Sequence, residues 1–189
     1  LFAVQPLFSK MALPLLGGAP AVWNTCMLFF QALLLGGYLY AHLTTRWLRP
    51  RRQVLLHVAL LAASLLALPI GVPDGWTPPP GGAPIPWLVG LLLAGLGLPF
   101  FLLSTGAPLL QHWFSRTGHP AAANPYFLYA ASNAGSFLAL LAYPFVLEPL
   151  LALSTQSRWW SWGYAGSGMP RMPSAAPTAM TRGKTIGRM

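Results

Sequence analysis

Acidic side chains are almost missing from this chain. Of 189 residues only Asp74 and Glu148 carry a carboxylate, and charged residues of both signs together reach 7%. A soluble domain carries about 25% charged residues, so a water-facing surface of ordinary composition is excluded. Two carboxylates far apart in sequence also exclude most general acid–base schemes, and no phosphate-cradling glycine loop stands ahead of a helix. Catalytic and cofactor-binding residues are therefore expected to be absent. Cysteine is nearly absent too: the single Cys26 lies within an apolar block, so no disulfide framework exists. No charged leader with a small-residue cleavage site precedes the first apolar stretch.

What remains is apolar, at 55% of the chain, and it comes in long blocks rather than amphipathic stripes. The first, residues 1–16, contains Pro6 and Pro14 and closes on Gly17 and Gly18; it reads as the remaining part of a truncated span. Fuller blocks cover residues 21–43, 54–72, 87–110 and 126–146. A run of prolines and glycines over 73–82 can only be a loop. Arg158 with Trp159, Trp160 and Trp162 resembles an interfacial belt opening a sixth, incomplete span. The expected fold class is an all-α integral membrane protein, a polytopic bundle of about five spans plus that incomplete sixth, over residues 1–166.

The net charge of +9 does not point to nucleic acid, because its positions do not form a basic face on a soluble element. Arg46, Arg49, Arg51 and Arg52 occupy one short connection between apolar blocks. Placing that connection in the cytoplasm puts the one holding Arg116 and His119 on the same side and the Pro/Gly loop outside, as the positive-inside bias requires. The basic stretch 167–189 then falls outside, against the bias. It reads either as a disordered tail or as a frameshift product, and the broken charge rule favours the second.

Ionisable and polar groups inside apolar blocks are the candidate functional residues. Lys10 stands between two prolines and either snorkels to an interface, pairs with a carboxylate, or lines a watery cavity. Asn24, Gln31 and Tyr38 recur every seven residues and so share a helix face, expected to hold neighbouring helices together or to wall a path. Ala131, Gly135 and Ala139 form a small-residue series beside Ser132, Asn133 and Ser136, the pattern of close helix packing. Lys10, Asn24, Gln31, Tyr38 and Asn133 together make the candidate intramembrane polar path. Gly95, Gly97 and Pro99 weaken the fourth block, and Ser104 to Pro108 is a candidate discontinuity of the kind transporters use. His42, His57, His112 and His119 lack metal-ligand spacing and read as interfacial.

Several uncommon strings recur in a known order. Gln5-Pro6-Leu7-Phe8-Ser9-Lys10-Met11, Gly17-Gly18-Ala19-Pro20-Ala21-Val22-Trp23-Asn24-Thr25-Cys26, Gly37-Tyr38-Leu39-Tyr40-Ala41-His42 and Asn124-Pro125-Tyr126-Phe127-Leu128-Tyr129-Ala130-Ala131-Ser132-Asn133 resemble the membrane half of bacterial fused proteins. These join a major-facilitator-like membrane region to a cytosolic spermidine-synthase-like domain. The resemblance implies a helical bundle in the bacterial inner membrane, with the lipid bilayer and a cytosolic aminopropyltransferase-type domain as partners. The domain itself is not in these 189 residues, so no catalytic residue carries over. The membrane region would anchor or feed it; a permease or transporter subunit for a small solute is the alternative. Where the major-facilitator pattern has an acidic residue ahead of its basic run, this chain has Ala41 or His42, which departs from ordinary alternating-access transport.

Overall fold

A computed structural model of the chain describes residues 1–73, 75–78, 80, 81 and 83–167, and the expected tail lies outside them apart from Ser167. Among the described residues the fold is entirely helical, without a strand. Six helices carry it: α1 (Val4–Ala12), α2 (Pro20–Trp47), α3 (Pro50–Ser64), α4 (Pro84–Phe114), α5 (Tyr126–Leu150) and α6 (Leu153–Ser167).

Prolines set most of the boundaries. Pro20, Pro50 and Pro84 each stand in the first turn of a helix, where the missing N–H costs nothing and the fixed φ favours entry. The arginine connection is consequently shorter than the sequence implied. Only Leu48 and Arg49 leave helical geometry, so Arg46 sits in the last turn of α2 and Arg51 and Arg52 in the first turn of α3. The third apolar block is not one helix either. α3 tightens into a 3-10 turn at Leu65–Ala67, and Leu68 is extended because the ring of Pro69 disfavours helical geometry in the residue before it.

Three helices are long and apolar enough to cross a membrane: α2 with 28 residues, α4 with 31 and α5 with 25. At about 1.5 Å per residue the shortest exceeds the hydrocarbon thickness of about 30 Å. α1 and α3, with nine and 15 residues, fall short by this measure.

α4 and α5 each contain a π-helical turn, at Leu93–Gly97 and Tyr143–Leu147. Each ends two residues before a proline, Pro99 after the first and Pro149 after the second, which places the fourth residue before each ring, Gly95 and Phe145, inside the turn. A proline ring collides with the carbonyl four residues earlier, and widening the helix relieves the collision. The irregularity in α4 therefore falls at the glycines and not at Ser104 to Pro108, which stays α-helical with Pro108 inside it. Gly95 has a second reason to be glycine: an added Cβ would lie 2.5 Å from the Gly71 carbonyl and 2.7 Å from the Phe8 ring.

The core forms where α1, α2 and α4 meet, around Phe8, Phe30, Leu88, Leu91, Leu92, Leu96 and Phe100. The rings of Phe30 and Phe100 stand 4.9 Å apart. α2 and α4 approach closely at Gly37, where a side chain would overlap Ser104. At the other end of the contact, buried Gln53 ties three helices together. Its amide nitrogen donates to Thr44 at 3.1 Å, and Trp113 donates to its amide oxygen at 3.0 Å. α6 packs against α1 and runs beside the segment that follows α3: Ser64 and Tyr164 hydroxyls are 2.5 Å apart, and the Ile70 N–H donates to Ser161 at 3.1 Å.

Candidate functional site

The chemistry of the described residues gathers where α1, the end of α5 and the start of α6 converge. α1 is short but buries six of its nine residues, and its spacing places Gln5 and Ser9 one turn apart on the buried face. Lys10 follows in the last turn and projects sideways to Glu148. Its ammonium pairs with the Glu148 carboxylate and lies 5.8 Å from the centre of the Tyr143 ring. The π turn at Tyr143–Leu147 leads directly into Glu148, so the irregular turn positions both partners of the lysine. The side chains are 33% and 44% exposed; this is a half-open pair, not a sealed one.

Gln156, on the first turn of α6, locks the junction with α5. Its amide nitrogen donates to the Leu151 carbonyl at 2.8 Å and to the Leu147 carbonyl at 3.2 Å. Those two acceptors fix the amide orientation and leave its oxygen buried without a partner among the described residues. The Gln5 amide nitrogen and the Tyr143 hydroxyl are also buried and unmatched. Such groups are costly to leave unpaired; a second set, the Tyr40 hydroxyl and His57 Nδ1, lies between α2 and α3.

Two cavities flank this junction. One, of about 540 Å³, opens between Lys10, the segment from Pro69 to Val72, and Ser154 and Arg158 of α6. Its wall is otherwise apolar, and Ser157, on the same rim, donates to the Ile70 carbonyl. The second, about 130 Å³, is lined by Tyr143, Gln156, Trp159 and Trp160. A third, about 250 Å³, lies away from the junction between α3, α4 and α6, against His57 and Trp113.

Of the five path candidates, Lys10 alone reaches any of these cavities. Asn24, Gln31 and Tyr38 are exposed on α2, whose packed face carries Val22, Cys26, Phe30, Gly37 and Ala41. The seven-residue spacing keeps the polar three together, but the small and aromatic side chains take the contact with α4. Asn133 is exposed on α5, as are Ala131 and Gly135. The structure thus joins Lys10 to Glu148 and Tyr143 rather than to the polar stripe. Sequence reasoning passed over Glu148, Gln156 and Gln53. The first had a readable signal: a lone cation and a lone anion, each bordering an apolar block, are natural partners. The glutamines had none, since only the fold shows which amides are buried.

No protein-family model, curated protein or solved structure matches the chain.

Proposed function

We propose that the chain is an integral membrane bundle of a bacterial inner membrane, with Arg46, Arg49, Arg51 and Arg52 at its cytoplasmic face. One observation carries this reading. α5 is 25 residues long and strongly apolar, yet only 6% of its most apolar window is buried. Phe127, Phe137, Leu138, Phe145 and Leu150 stand exposed along it. An apolar surface of that length is tolerable against lipid or another helix and not against water. Counting α3 with its 3-10 extension as a crossing gives four spans, whereas α1 with its own extension stays short of the about 17 residues that a crossing needs.

The role best supported within that setting is the membrane region serving a cytosolic spermidine-synthase-like domain, anchoring or feeding it. The support is the order of the polar strings from Gln5 to Asn133. A permease for a small solute is the second reading, favoured by the half-open Lys10–Glu148 pair beside a cavity of about 540 Å³.

Topology is the first test. With Cys26 replaced by alanine, single cysteines at Gly75 and Arg49 are probed with a membrane-impermeant maleimide on intact spheroplasts. Cysteine at position 75 is expected to label at once, and at position 49 only after permeabilisation. The reverse pattern rejects the orientation, and release of the chain by alkaline carbonate rejects the membrane reading. An intact mass of the protein extracted from its native membrane that leaves no room for a fused spermidine-synthase-like domain counts against the anchoring role, and solute flux in proteoliposomes would then favour the permease.

A further inference from the structure

We infer that the cavity between Lys10 and Arg158 holds the phosphodiester headgroup of an anionic lipid. The inference rests on the membrane reading and assigns a ligand to the rim of that bundle. Lys10 is neutralised by Glu148, which does not itself line the cavity. Arg158 has no carboxylate partner among the described residues, so the cavity keeps one uncompensated positive charge, the complement of one phosphodiester.

The donors on its wall agree with that count. The guanidinium of Arg158 presents a planar fork of N–H groups matched to phosphate oxygens. The ammonium of Lys10 has donors left after its bond to Glu148, and the exposed Ser154 adds a hydroxyl. Beyond these groups the wall turns apolar at Ile70, Gly71 and Leu153, which suits the glycerol and first methylenes of a lipid better than a free hydrated ion. Beside Arg158 on the same helix, Trp159 and Trp162 are 64% and 79% exposed, as tryptophans are at headgroup level. Charge, donors, apolar wall and aromatic flank thus coincide on the first three turns of α6.

Native mass spectrometry tests this on the full chain, released from mixed micelles of phosphatidylglycerol and phosphatidylcholine. The wild type is expected to retain phosphatidylglycerol preferentially. Arg158→Gln should lower that preference about five- to tenfold, the effect of one cation near an anionic headgroup. Gly71→Leu should lower it as well without changing any charge, because a side chain at Gly71 enters open space on the cavity wall. It also keeps the test decisive should Arg158→Gln fail to fold. Arg116→Gln, at an exposed arginine outside the cavity, should change nothing. Unchanged preference in both folded cavity variants, or an equal loss in Arg116→Gln, overturns the site. Displacement of the lipid by millimolar inorganic phosphate also overturns it, because the cavity would then belong to a soluble anion. A carbonate-resistant chain with no lipid preference defeats this inference alone, whereas a carbonate-soluble chain defeats the membrane reading beneath it.

Discussion

α4 and α5 are built to nearly the same recipe and put to opposite uses. Both are long and apolar, and both widen into a π turn beside a proline. Yet 61% of the most apolar window of α4 is buried against 6% of that of α5. Their glycines make the contrast local. A Cβ at Gly95 would collide with the Gly71 carbonyl and the Phe8 ring, whereas one at Gly135 meets nothing within 4 Å. Apolarity alone therefore does not tell a helix that fills the core from one that rims it. Small residues mark a contact only where another element arrives to use them.

The contrast can be broken most forcefully at the aromatic residues. Phe100→Ala, in the core of α4, should cost about 3–5 kcal/mol by leaving a cavity, read as a shift in the unfolding midpoint of the detergent-solubilised chain. Phe137→Ala, at 62% exposure on α5, should stay within about 0.5 kcal/mol. Equal losses at the two sites would mean that α5 packs as α4 does.

A smaller effect belongs to the glycines. Gly95→Ala forces the backbone of residue 71 or the Phe8 ring to move and should destabilise by about 1–3 kcal/mol. In the same unfolding assay Gly135→Ala should be neutral or slightly stabilising, since alanine is the better helix former by about 0.5–1 kcal/mol. A penalty at Gly135 as large as that at Gly95 would reveal a packed partner on the exposed face of α5.

The smallest expected effect sits where α5 is tied to α1. Lys10 and Glu148 are a third to nearly a half exposed, so their coupling in a double-mutant cycle with Lys10→Met and Glu148→Gln should be at most about 1 kcal/mol in detergent. A coupling of several kcal/mol would show the pair to be sealed from solvent and would sharpen the account of how α5 is held.

Much of this architecture could be read in the residues themselves. The apolar blocks at 21–43, 87–110 and 126–146 each became a helix of spanning length, because sustained apolarity without turn residues leaves the backbone few alternatives to its own hydrogen bonds. Pro50 marked a helix boundary, and the prolines and glycines from Pro73 onward marked the longest connection. Other features lay beyond local pattern. Seven-residue spacing put Asn24, Gln31 and Tyr38 on one face, but the direction of that face was decided by how closely Gly37 lets Ser104 approach. Gln53 and Gln156 look alike in sequence to the exposed Gln31, and only long-range packing buries them. Lys10 was conspicuous by itself, and with only two acids in the chain a carboxylate partner was readable; the fold adds that α1 and the end of α5 converge to make it Glu148.

The two π turns carry one more consequence, for the phase of the helical wheel. A single π turn accommodates one residue beyond the α-helical count, and one residue is about 100° of rotation. A stripe drawn from Gly90 through α4 at 3.6 residues per turn therefore slips by about a quarter of the circumference before it reaches Ser104. The same slip separates the face bearing Ala131 and Gly135 from Glu148. The turn in α5 acts as an angular adaptor, leaving the long apolar stretch free to point outward while the carboxylate at its end swings round to meet Lys10.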